Sequence, residues 1–162
     1  MTTDHDGVPE LAPGTAEVLQ AATRMLAGVA LRSVDVLDAA VTLPQFRLLA
    51  VLADLGPVPT GQAARTLGLD RSTVTRLADR MVTAGHVARG TDPRHRGVVT
   101  LTLTASGRGL VAAADDWRRH ELAQIMARLA PADQEAATTA LGLLVTAAGA
   151  DYGLTAHRPV PL

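Results

Sequence analysis

The chain has 162 residues, enough for one domain and too few for two enzyme domains. Hydrophobic residues make up 48% of it but aromatics only 2%, so its core must be assembled from Ala, Leu and Val, which favours closely packed helices over stacked sheets. Cysteine is absent, which excludes disulfides, thiolate metal sites and thiol chemistry, and the net charge of −1 conceals a local charge of +4 between Gly61 and Thr100, where seven arginines face three aspartates.

Residues 1–13 hold Asp4, Asp6, Glu10 and two prolines with no Lys or Arg, and are expected to form a disordered tail rather than a secretion signal. No apolar run reaches membrane-spanning length, so a soluble, cytoplasmic chain is expected, with no membrane partner. From Thr15 to Thr42 the residues Leu19, Ala22, Leu26, Val29, Val36, Leu37 and Ala40 recur at helical spacing and predict one long, mostly buried helix. Pro44 marks the start of a second helix, built on Phe46, Leu48, Leu49, Val51 and Leu52 and closed by Gly56 and Pro57. A third, short helix is expected from Thr60, its candidate cap, to Gly68. Asp70 then opens a fourth, with Val74, Leu77, Ala78 and Met81 on one face and Gly85 past its end. Beyond Gly85 the pattern changes to two Val- and Thr-rich strands, His86 to Arg89 and Val98 to Leu103, which flank a charged loop from Gly90 to Gly97. Thr104 is placed to cap a long helix reaching Leu129, and Pro131 starts a last one containing Leu141, Leu144 and Val145.

Two short helices joined by a tight turn and followed by a hairpin define a winged helix-turn-helix, so the expected fold is mainly α with a small β-hairpin wing. Turning the fourth helix by 100° per residue sends Ser72, Arg76, Asp79 and Thr83 outward, with Thr73, Thr75 and Arg80 at the flanks. Arg76 has the fork that fits guanine O6 and N7, Ser72, Thr73 and Thr75 can bond bases or phosphates near the helix N-terminus, and Arg71 and Arg80 are further DNA-binding candidates. Asp79 is unfavourable beside phosphate unless Arg76 or Arg80 neutralises it. A solvated helix face would show the same charges; the adjacent hairpin turns the reading toward DNA. Arg94 and Arg96, with Arg89, Asp92 and His95, surround the loop tip, where an arginine can follow the minor groove, although a polar turn has the same composition.

These segments resemble the MarR family of transcriptional regulators from Leu43 to about Gly107. The resemblance is carried by Leu43-Pro44-Gln45-Phe46, by Leu67-Gly68-Leu69-Asp70-Arg71-Ser72-Thr73-Val74-Thr75-Arg76-Leu77, by Gly85-His86-Val87-Ala88-Arg89, by Asp92-Pro93-Arg94, and by Leu103-Thr104 with Gly107. It implies a homodimer whose terminal helices interlock and whose paired winged helices read a palindromic operator on double-stranded DNA, as a repressor released by a small-molecule effector. It also implies an effector pocket between the dimerisation helices and the DNA-binding lobe, with Phe46, Arg47 and Trp117 as candidate lining, for which core packing is the competing role. His95 and Gly97 stand where the family usually has an Asp and an Arg two residues apart, and Asp92 with Arg94 or Arg96 is the substitute pair.

The resulting division is a single domain over 14–148, with a winged core at about 43–103, dimerisation helices at about 15–42 and 104–148, and a tail over 149–162. The flanking helices point to a partner independently, because a small winged core leaves their apolar stripes without cover. No histidine pair has the spacing of a helical metal site, no phosphate loop precedes a helix, and no nucleophile has its base nearby in sequence, so neither cofactor, metal nor enzyme activity is expected. A winged-helix protein interaction module without DNA binding is the alternative function.

Overall fold

The computed structural model describes residues 11–37, 41–91 and 97–152 of the chain. Its elements in order are α1 (Thr15–Asp35), α2 (Leu43–Leu55), β1 (Val58–Pro59), α3 (Thr60–Leu67), α4 (Arg71–Thr83), β2 (Val87–Thr91), β3 (Val99–Leu103), α5 (Ala105–Met126) and α6 (Pro131–Tyr152). This is a mainly helical winged helix with a small antiparallel sheet. Among the described residues no helix is long and apolar enough to cross a membrane.

The core sits where α2, α3 and α4 close against the sheet, and Leu48, Leu49, Leu52, Val74, Met81 and Leu101 are fully buried there. Leu48 and Leu52 lie one turn apart on α2, as do Val74 and Ala78 on α4, so one stripe of each helix supplies the contact. Two chain reversals fix the relative positions of the helices. Gly68 ends α3 in the left-handed region at φ 66°, which an L side chain resists, and the Leu69 and Gly68 amides donate to the Ala64 and Arg65 carbonyls at 3.0 and 3.2 Å. At the far end of α4 the His86 and Gly85 amides close the same pattern on Met81 and Val82.

Several boundaries depart from the sequence expectations. The first helix stops at Asp35 rather than reaching Thr42, since Val36 caps it; Leu37 and Val41 are buried all the same, held by the core rather than by helical periodicity. Nor is it mostly buried: in the single chain only Val29, Ser33 and Val34 of α1 are, because most of its apolar residues point away from the lobe. Thr60 does not cap α3 but is its first, buried residue; Pro59 takes the cap position and offers no side-chain bond. The wing is part of a three-stranded sheet ordered β1-β3-β2, in which β1 pairs Val58 with Leu101 and Pro59 with Thr100. In the hairpin itself Val87 faces Leu103 and Thr91 faces Val99. The fifth helix ends at Met126, short of Leu129, and the last continues through Gly149 to Tyr152, beyond the expected start of the tail.

The two lobes meet at a tightly bonded corner. Thr104 caps α5 as expected, its hydroxyl accepting from the Gly107 amide at 3.1 Å while donating to the Gly85 carbonyl at 2.7 Å. The Thr104 amide donates to the His86 carbonyl at 3.1 Å, and the His86 ring meets the Ser106 hydroxyl at 2.9 Å. From this corner α5 runs back along α1 and α2, whereas α6 projects with Leu141, Leu143, Leu144 and Val145 all exposed.

Candidate nucleic-acid interface

The helix that follows the turn is positioned from its buried side. Val74, Ala78 and Met81 anchor α4 in the core, which sends Arg71, Ser72, Arg76, Asp79, Arg80 and Thr83 to the surface and leaves Thr73 and Thr75 half-buried on its flanks. The outward face is therefore the one the sequence predicts. Arg71, Arg76 and Arg80 take part in no ion pair among the described residues, so three guanidinium groups are displayed along one helix.

The hydroxyls of this face are engaged. Asp70 caps α4, accepting from the Thr73 amide at 2.8 Å, from the Ser72 hydroxyl at 2.5 Å and from the Thr73 hydroxyl at 2.6 Å. These bonds, led by the one from Ser72, hold the Asp70 carboxyl well below the usual carboxylate range, so it is ionised at any working pH. One step further along, the Thr75 hydroxyl donates to the Arg71 carbonyl at 2.8 Å. The hydroxyl protons of Ser72, Thr73 and Thr75, expected to face bases or phosphates, are thus engaged within the cap and first turns of the helix.

Asp79 is neutralised by neither Arg76 nor Arg80. Its carboxylate pairs with Arg89 of β2, so the wing strand is tied directly to the middle of α4. The bridge is solvated, the side chains being 42% and 52% exposed for Arg89 and Asp79, so it sets geometry more than stability. The pair was not legible in the sequence because its partners lie on two elements, and the packing of β2 beside α4 brings them into reach. Arg94 and Arg96, like Asp92 and His95, lie outside the described residues.

The candidate effector residues do not line the hollow that the described residues form between α1 and α2. Phe46 is buried in the core, and the Arg118 guanidinium of α5 lies 5.7 Å from its ring centre, a cation–π contact that depends on how α5 crosses α2 and is invisible to residue spacing. Arg47 donates to the Leu67 carbonyl at the end of α3, at 3.3 Å, and its buried Nε has no partner among the described groups. Trp117 is half-buried on α5. The hollow, half-open and about 310 Å³ in volume, lies between the end of α1 and the start of α2, lined by Leu31, Val34, Asp35, Val41, Thr42 and Leu43. Among the described residues no cluster of three His, Asp or Glu side chains is placed to hold a metal.

Comparison with known proteins agrees with this geometry. A model of the MarR family matches residues 41–96, the stretch from the start of α2 into the wing. The uncharacterized HTH-type transcriptional regulator YcgE of Bacillus subtilis is 44% identical over 57 residues, 35% of this chain, and the chain spans only 37% of that relative's length. Among solved structures, RV1404 from Mycobacterium tuberculosis is 31% identical with a TM-score of 0.78, over 88% of this chain and 99% of that one. A MarR family protein from Bacillus stearothermophilus is 26% identical with a TM-score of 0.71, over 83% of this chain and 96% of its own.

Proposed function

We propose, on the premise that the chain belongs to the MarR family of DNA-binding transcriptional regulators, that it is a sequence-specific repressor rather than an enzyme, acting in the cytoplasm as a homodimer on a palindromic operator. The observation that carries this reading is the outward face of α4, where Arg71, Arg76 and Arg80 are exposed and in no ion pair among the described residues, on a helix anchored by Val74, Ala78 and Met81. A helix so mounted fits the major groove, with Arg76 as the base reader and Arg71 and Arg80 toward the phosphates. Arg94 and Arg96 are assigned to the adjacent minor groove or backbone. The dimer is supported by the apolar, uncovered surfaces of α1 and α6, and a twofold dimer calls for a twofold site. Release by a small-molecule effector is supported by the hollow between α1 and α2, which lies where the lobe meets the flanking helices; Phe46 and Arg47 further along α2 and Trp117 on α5 are the proposed lining of an effector pocket.

The test is a gel-shift titration on a fragment from the protein's own promoter region, repeated across a salt series. Several arginine–phosphate contacts per subunit should make affinity fall steeply as salt rises, through counterion release. A flat dependence, or no binding at low salt, would leave the winged helix as a protein interaction module instead.

A further inference from the structure

Hydroxyl groups are ambiguous in most interfaces, since each carries one proton and two lone pairs and rotates to suit its partner. On α4 the ambiguity is removed. Asp70 is an ionised carboxylate, which can only accept, so the Ser72 hydroxyl at 2.5 Å and the Thr73 hydroxyl at 2.6 Å must both donate to it. The Arg71 carbonyl likewise can only accept, which fixes the proton of Thr75. Each of these side chains is left with lone pairs for a partner, and none with a proton.

We propose that Asp70 sets the polarity with which the recognition helix reads DNA: by holding the protons of Ser72 and Thr73, it makes this end of α4 select bases that present an exocyclic amino group in the major groove, adenine or cytosine, over the keto bases guanine and thymine. Adenine N6 and cytosine N4 donate outward from the groove floor, whereas guanine O6 and N7 and thymine O4 offer lone pairs that would face the lone pairs of the hydroxyls. Phosphate oxygens also carry only lone pairs, so the same lock removes Ser72 and Thr73 from backbone contact and leaves that role to Arg71 beside them. Every base pair has an amino base on one strand and a keto base on the other, so what is read is the orientation of the pair. Arg76 favours guanine, a keto base; the two kinds of reader one turn apart on the helix therefore impose opposite demands on neighbouring positions. The inference rests on the reading that α4 enters the major groove.

The carboxylate geometry supplies a variant that separates polarity from capping. Asn is as good a helix cap as Asp, so Asp70→Asn keeps the fold of α4. Its amide oxygen, standing where Oδ1 stands, still accepts from the Thr73 amide and the Ser72 hydroxyl. Its amide nitrogen, standing where Oδ2 stands, donates to the Thr73 hydroxyl and frees that proton to point outward. The experiment is selection of binding sites from a randomised duplex pool by the full-length wild type, by Asp70→Asn and by Thr73→Val. Wild type should recover an amino base at the half-site position facing Thr73. Asp70→Asn should recover a keto base there, with the relative affinity of two duplexes differing only at that pair reversing by about five- to tenfold. Thr73→Val should be indifferent at that position while selecting the rest of the half-site. An Asp70→Asn profile identical to wild type, or one in which every duplex gains affinity by a common factor through loss of a negative charge, overturns the proposal, as does a Thr73→Val protein that keeps the wild-type preference. Wild type that recovers no duplex at low salt instead overturns the DNA-binding reading beneath it.

Discussion

A Cβ atom placed on Gly107 would stand 2.1 Å from the His86 carbonyl oxygen, which is backbone and cannot swing aside. Gly109, one turn-half further along α5, has nothing within 4 Å of the same position. Gly107→Ala should therefore destabilise the protein by about 1–3 kcal/mol through overpacking, whereas Gly109→Ala should stabilise it by about 0.5–1 kcal/mol through helix propensity; chemical denaturation of the two variants checks the contrast, and equal effects would contradict the close approach. The Asp79–Arg89 bridge predicts a different separation of effects. Being solvated, it should contribute only about 0.2–1 kcal/mol to folding, yet Arg89→Ala leaves the Asp79 carboxylate bare on the face proposed to meet DNA. Thermal denaturation should then change little while affinity drops for specific and random duplexes alike; a large loss of stability would show that the bridge is structural. These residues also mark what the sequence could disclose. Val74, Ala78 and Met81 were legible because a 3.6-residue period needs no partner to be recognised, and so was the outward face opposite them. The ties from Arg89 to Asp79 and from Arg118 to Phe46 were not, because each depends on the register or crossing of two elements.

At the scale of elements, α6 differs from every helix of the lobe. Its apolar residues are spread around the whole circumference, and Leu143 and Val145 are 68% and 55% exposed. An isolated helix with such a surface is marginal in water, and the proposed dimer would supply the packing it lacks. Replacing Leu143 and Leu144 together by Asp should convert the dimer to monomer with the winged lobe still folded, as measured by sedimentation and circular dichroism; a dimer that persists would place the interface on α1 alone. The same scale explains the misplaced boundaries. β1 is two residues long, too short to alternate, and exists only because β3 lies beside it. The first helix seemed to continue because Val36, Leu37 and Ala40 keep the apolar rhythm, and rhythm alone does not distinguish a helix from a turn pressed into the core, as at Leu37. Where a cap residue was present the ends were readable, as at Asp70 and Thr104.

For the whole molecule, the absence of cysteine narrows how a signal can reach the DNA-binding surface. Thiol oxidants have no target, so peroxide at thiol-oxidising doses should leave DNA affinity unchanged, and a ligand that lowers this affinity must bind the DNA-bound dimer less tightly by the same factor. Fluorescence of Trp117, the single tryptophan, offers the readout, and release of DNA by thiol-specific oxidant with every methionine intact would refute this route. The movement such a ligand must produce is constrained by the pairing of Val58 with Leu101. Between these two residues the chain runs through both helices of the helix-turn-helix and out along the wing, so a single short ladder closes a loop around the entire reading head. The entropy of that closure is met once, for all of its contents together. Native-state hydrogen exchange should accordingly find the amides of α3, α4 and β3 opening as one cooperative unit, and separate opening of α3 from α4 would show that the ladder does not bind the head together.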